Sequence, residues 1–100
     1  MTPLPLMLRA RRDTQAHLDC IVRQIEARAL RRVVRRRTRR RSSPGCIPWS
    51  RDDERAYQAE IDALSFEHAA VIEALARELD RQDRAIAILT RRQDHGRIHA

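Results

Sequence analysis

The arginines near the middle of the chain give it most of its capacity to bind an anion. Eight of the eleven residues from Arg31 to Arg41 are arginine, and no acid lies between Glu26 and Asp52. The eight are Arg31, Arg32, Arg35, Arg36, Arg37, Arg39, Arg40 and Arg41. Guanidinium groups at this density repel one another unless an anion neutralises them. Nucleic-acid phosphates do so readily, because binding releases their condensed counterions. This arginine block therefore predicts a phosphate-backbone interface.

Two other interpretations of the arginine block remain open. It can be a solvated run that pairs with acids of the same chain, or it can contact an acidic protein or an anionic membrane. A helix lying on a membrane is disfavoured, because only Val33 and Val34 are apolar within the block. Residues 1–50 carry 13 arginines against three acids, whereas residues 51–100 carry eight arginines against 11 acids. Such asymmetry indicates contact with an anionic partner or attraction between the two halves.

Base-specific recognition is not predicted from these residues. The chain has no zinc-finger spacing and no aromatic RNA-recognition motif. Basic-zipper proteins join a basic helix directly to a heptad helix, but Pro44, Gly45 and Pro48 interrupt the chain after the arginines. Basic helix-loop-helix proteins place the basic region before their first helix. We therefore expect binding that is largely independent of sequence.

The cysteines and histidines do not form a convincing metal site. His17 and Cys20, like His95 and His99, have spacings that suit two ligands on one helix. However, Cys20 should face away from the apolar side of its helix, and Cys46 lies roughly 38 Å further along at 1.5 Å per residue. His68 is expected to be tucked into an apolar stripe. We therefore expect no metal, no cofactor and no disulfide between Cys20 and Cys46.

Catalytic motifs are equally weak. The sequence has no glycine-rich phosphate loop and no carboxylate pair in an evident cleft. Ser42 and Ser43 lie beside arginines, and no histidine is expected near them in the fold. The acids on the second helix are interpreted as solvated: Glu60, Glu67 and Glu78. We do not expect an enzyme.

The elements that must position the arginine block are predicted to be helices. Three aromatic residues and two glycines in 100 residues disfavour a β-sandwich or barrel, and Ala, Arg, Glu and Leu favour helix. The helix breakers Pro44, Gly45 and Pro48 define a turn at residues 42–48. Ser50 and Asp53, three residues apart, have the spacing of a capping box at the start of the next helix. We predict helix 1 at about residues 5–40, helix 2 at about 50–93, where His95 and Gly96 close it, and a tail at 94–100.

Each predicted helix carries one apolar stripe. In helix 2 the stripe residues, spaced by three or four, occupy a band about 100° wide. The two stripes are expected to meet in an antiparallel pair folded about Gly45. In helix 1 the stripe is Leu4, Met7, Leu18, Ile21, Val22, Ile25, Ala29 and Val33, interrupted by Arg11 and Thr14. In helix 2 it is Tyr57, Ile61, Leu64, His68, Val71, Leu75, Leu79, Gln82, Ile86 and Leu89. Beyond Val34 the stripe ends, so we expect the arginine-rich end to fray or protrude, with Asp52, Asp53 and Glu54 beside it.

The predicted fold class is therefore all-α: an antiparallel two-helix hairpin that forms one domain over residues 1–100. One seam buries little apolar area, so a homodimer with a four-helix core, or a helical protein partner, is expected. The expected interface residues are Leu18, Val22, Ile25, Leu64, Val71, Leu75 and Phe66. Phe66 is included because it projects away from the stripe, opposite Leu64.

The expected function is that of a non-enzymatic accessory or regulatory protein that binds DNA or RNA phosphates through the arginine block. The alternative is a coiled-coil adaptor or assembly subunit whose arginines meet an acidic protein. No segment reaches the ~18 apolar residues needed to span a bilayer. A cytoplasmic location is expected, on the nucleoid in a bacterium or in the nucleus in a eukaryote.

Overall fold

The structure, a computed structural model, describes residues 3–40 and 48–99, with side chains placed for residues 3–39 and 48–96. It contains three helices in chain order: α1 (Leu4–Arg40), α2 (Arg51–Glu67) and α3 (Ala69–His99). Within those ranges there is no strand, so the all-α prediction is confirmed. None of the described helices is long and apolar enough to cross a membrane.

The helix starts follow the local chemistry that the sequence indicates. Proline is tolerated in a first turn, and Met7 N–H donates to the Pro3 carbonyl at 3.0 Å. Ser50 is the N-cap of α2: its Oγ accepts from Asp53 N–H at 3.1 Å, and its own N–H donates to Asp53 Oδ2 at 2.9 Å. These reciprocal bonds form the predicted capping box. Acids in this first turn also interact favourably with the helix dipole.

Two predicted boundaries in the second half of the chain are wrong. The single helix expected at 50–93 is divided at His68, whose backbone has φ −101° and ψ 11°. Its N–H still donates to the Leu64 carbonyl at 3.1 Å. No proline or glycine lies nearby to mark this break in the sequence. The expected tail is also helical as far as His99, since Gly96 does not adopt the positive φ of a helix-ending glycine.

The chain divides into two compact units. The central unit comprises residues 20–70, and the terminal unit comprises residues 1–19 and 71–100. In the central unit the buried apolar residues are Ile25, Ala29, Val33 and Leu64. They lie on the predicted stripes of α1 and α2, because residues three or four apart share a helix face.

The terminal unit has no fully buried residue among those whose side chains are described. Its stripe residues Leu18 and Leu75, for example, are half-buried. The polar interruptions predicted in α1 have polar partners in this unit. Gln82 Nε2 donates to Thr14 Oγ1 at 3.0 Å, and Arg11 Nε donates to Asp83 Oδ1 at 2.8 Å. Hydrogen bonding therefore gives partners to Arg11 and Thr14, which the sequence places within an apolar stripe. The buried Oε1 of Gln82 has no hydrogen-bond partner among the described residues.

Candidate nucleic-acid interface

As far as Arg40 the arginine block is helical, and one side of it packs in the central unit, contrary to the expectation that it frays or protrudes. Helix α1 continues to Arg40, and Val33 within the block is only 2 % exposed. Arginines on the same side of α1 as Val33 bind acids of α2. Packing is possible because these ion pairs replace the apolar contacts that the sequence lacks beyond Val34.

Glu60 is the main partner of the block. Arg32 Nη1 donates to Glu60 Oε2 at 2.9 Å, and Arg36 Nη2 donates to Glu60 Oε1. The Glu60 side chain is only 11 % exposed, so the prediction that it is solvated is wrong. Each of its oxygens accepts from a different arginine. Two cations around one nearly buried carboxylate give each of its oxygens a hydrogen-bond donor and compensate its desolvation.

Arg37 is held at the N-terminal end of α2. Its Nε lies 3.4 Å from Asp53 Oδ2, and its Nη2 donates to the Pro48 carbonyl at 3.4 Å. Its guanidinium carbon lies 5.5 Å from the ring centroid of Trp49, a cation–π distance. Asp53 therefore serves both as the N3 residue of the capping box of α2 and as an ion-pair partner of Arg37. One of the three acids expected beside the block, Asp53, does pair with it.

The pairs in the central unit run in antiparallel order. Arg32 and Arg36 reach Glu60, whereas Arg37, further along α1, reaches the earlier residue Asp53. A cleft of about 210 Å³ lies between these helix ends. Its lining residues are Val33, Arg36, Arg37, Ser50, Asp52, Asp53 and Ala56. Two acids in the lining offset the two arginines, so this cleft offers no net charge to an anion.

Three further arginines of the block form a separate set, exposed on another side of α1. Arg31, Arg35 and Arg39 are exposed and have no hydrogen bond or ion pair with any described residue. Arg28, which precedes the block in the sequence, is also exposed and unpaired within the described ranges. At 100° per residue these four share a face about 80° wide. We call Arg28, Arg31, Arg35 and Arg39 the outer ridge.

The other predicted site residues are placed as follows. The side chain of Arg40 and the whole of Arg41 lie outside the described residues, as do Ser42, Ser43 and Cys46. Of the expected interface residues, Ile25 and Leu64 are buried, whereas Val22, Val71 and Phe66 are exposed. Phe66 is 84 % exposed. Cys20 is exposed, and no group of three or more His, Cys, Asp or Glu side chains among the described residues could hold a metal ion.

The Glu60 ion pairs predict a loss of stability in acid. The hydrogen bond from Arg32, supported by Arg36, holds the pKa of Glu60 below its ordinary value of 4.5, although burial acts in the opposite direction. A lowered folded-state pKa stabilises the fold above the ordinary value, and this contribution disappears as the pH falls through the folded-state pKa. Thermal melts followed by circular dichroism should therefore show a falling midpoint below about pH 4.5.

The matched variant for this pH prediction is Glu60→Gln, which keeps the shape of the side chain and cannot ionise. It should be less stable than the native chain near neutral pH and should lose less stability on acidification. Both effects follow because the two guanidinium groups stabilise an ionised carboxylate electrostatically, and glutamine carries no charge for them to stabilise. An identical acid-induced shift in the variant and the native chain would mean that Glu60 does not contribute.

Comparison with protein-family models, with curated proteins and with solved structures finds no match for this chain.

Proposed function

We propose that this chain is a non-enzymatic nucleic-acid-binding protein, with an accessory or regulatory role, whose outer ridge binds the phosphate backbone. The observation that carries the proposal is the division of the arginine block into two sets. Arg32, Arg36 and Arg37 are paired with acids of α2. Arg31, Arg35 and Arg39 have no pairing acid among the described residues. A folded helix thus presents a continuous cationic surface to solvent.

The ridge has the dimensions of a backbone-binding surface. From Arg28 to Arg39 it extends roughly 16 Å at 1.5 Å per residue. Each strand of a duplex carries a charge about every 3.4 Å along the axis, so the ridge can contact several phosphates at once. Guanidinium groups bind phosphate through paired hydrogen bonds. These contacts are made to the backbone, and they carry no sequence information directly.

The test of this proposal is the salt dependence of binding by the native chain. Four phosphate contacts should give a slope of log affinity against log salt between about −3 and −4. Fluorescence anisotropy with three unrelated oligonucleotide duplexes should give affinities within about threefold of one another, because backbone contacts do not distinguish bases. Binding that is unaffected by salt, or strongly selective for one duplex, would contradict the proposal.

The antiparallel hairpin and its homodimer are part of the proposal. The order of the ion pairs in the central unit supports the hairpin. The dimer is supported by apolar residues that stay exposed on both units, among them Leu6, Val22 and Ile88. Sedimentation equilibrium should show an association that depends on protein concentration. A monomer at all concentrations, with a concentration-independent melt, would exclude the dimer.

The expected location is cytoplasmic, on the nucleoid, or nuclear in a eukaryote.

A second candidate is an adaptor that binds an acidic protein helix. Leu30 and Val34 are 47 % and 44 % exposed on α1, close in sequence to Arg31 and Arg35. Apolar residues beside cations suit an amphipathic helix that carries acids along its edge. A protein complex that survives high salt and excludes nucleic acid would favour this candidate. Nucleic acid that copurifies at low salt and is released at high salt would favour the first.

A further inference from the structure

The aromatic residues of the chain bear on the kind of nucleic acid that the outer ridge binds. The whole sequence has three: Trp49, Tyr57 and Phe66. Trp49 packs edge-to-face with Tyr57, with ring centroids 6.3 Å apart and planes at 76°. Trp49 also lies under Arg37, and its Nε1 donates to Glu54 Oε2 at 2.9 Å. Although Trp49 is 40 % exposed, its contacts hold it within the central unit.

Only Phe66 has a largely exposed ring, and it lies on α2, whereas the outer ridge lies on α1. Proteins that hold single strands combine a basic groove with several aromatic rings on which successive bases stack. One free ring cannot provide such a path along a strand. The outer ridge therefore has charge, but no stacking surface, with which to attract nucleic acid.

A surface that recognises charge alone favours the ligand with the higher charge density. A duplex carries one phosphate per roughly 1.7 Å of axis, whereas one of its strands carries one per 3.4 Å. Over the ridge length of roughly 16 Å, a duplex presents about twice as many phosphates. A single strand must also lose conformational freedom to align with a straight helix, whereas a duplex is already rigid.

We infer that the outer ridge binds double-stranded nucleic acid in preference to single strands. This inference rests on the proposed function and adds the class of ligand to it. The preference follows from the spacing of Arg28, Arg31, Arg35 and Arg39 on one rigid helix. It follows also from the packing of Trp49 against Tyr57, which leaves neither ring to stack on bases.

The test compares a labelled mixed-sequence duplex of about 20 base pairs, long enough to cover the ridge, with each of its separated strands. Anisotropy titrations of the full-length chain at about 0.1 M salt should give affinity for the duplex at least about tenfold higher. The salt slope should also be steeper for the duplex, near 0.9 per phosphate contact against 0.7 for a single strand. A duplex RNA of the same sequence shows whether the preference extends to both kinds of duplex.

The Phe66→Ala variant tests separately the premise that no exposed aromatic ring stacks on the bases of a bound strand. Its affinity for the single strands should equal that of the native chain, since Phe66 is not expected to stack on bases. If the Phe66→Ala variant lost affinity for single strands only, the inference would be overturned. It would also be overturned if the native chain bound single strands as tightly as the duplex. Those results would leave the proposed function intact. No binding to any of the oligonucleotides at low salt would overturn the proposed function and this inference together.

Discussion

Replacing Arg31, Arg35 and Arg39 together by glutamine is expected to lower affinity for a mixed-sequence duplex by about two orders of magnitude at about 0.1 M salt. Each lost phosphate contact removes nearly one unit from the salt slope, so three lost contacts account for the size of the effect. The fold should persist, because none of the three pairs with a described residue and glutamine is a good helix former. Anisotropy titration measures the affinity, and circular dichroism checks the helix.

The matched control removes the same charge from arginines that are already neutralised on their own helices. Arg55, Arg81 and Arg84 pair with Asp52, Glu78 and Asp80 respectively. Their replacement by glutamine should reduce affinity for the duplex only a few-fold, because it lowers the net positive charge and so weakens the electrostatic potential of the whole protein. An equal loss of affinity in both variants would mean that the chain binds nucleic acid through its net positive charge alone, with no particular surface responsible. An unchanged affinity in the ridge variant would favour the adaptor candidate.

Replacing Glu60 by alanine is expected to destabilise the fold by about 1–2 kcal/mol. Removing one partner from a fully buried ion pair costs about 3–5 kcal/mol, but the cost falls when solvent can reach the remaining charges. Here the Arg32 and Arg36 side chains are 39 % and 52 % exposed, so water partly compensates them. Urea denaturation followed by circular dichroism measures the change in the free energy of unfolding.

Asp62→Ala is the control for that change. Asp62 lies on the same helix, is exposed, and has no ion pair with a described residue. Its removal deletes the same charge and should alter stability by less than about 0.5 kcal/mol. If both variants lose the same stability, the effect of Glu60 comes from net charge or helix propensity and not from its two arginines.

The sequence predicts the helices well wherever local chemistry defines them. Ser50 and Asp53 mark the start of α2 because a capping box involves only neighbouring residues. The break at His68 has no such local signal, since no proline or glycine accompanies it. The conformation of Gly96 cannot be predicted from its residue type, because glycine is compatible with both a helix interior and a helix end.

The division of the arginine block could not be predicted from its composition. It depends on which arginines face an acid of another helix, and that requires the register between α1 and α2. One signal was present in the sequence. Glu60 lies three residues after Tyr57 and four before Leu64, so it belongs to the buried side of α2. An acid at such a position needs a cationic partner, and arginines were the only abundant cations available.

The most direct test of phosphate binding by the outer ridge is one salt titration series, run in parallel on three proteins. These are the native chain, the ridge variant (Arg31, Arg35 and Arg39 to glutamine) and the control variant (Arg55, Arg81 and Arg84 to glutamine). Anisotropy with one duplex gives the slope of log affinity against log salt for each. The slope should fall by about 2–3 in the ridge variant and by less than about one in the control. Equal slopes in all three proteins would contradict phosphate binding by the outer ridge.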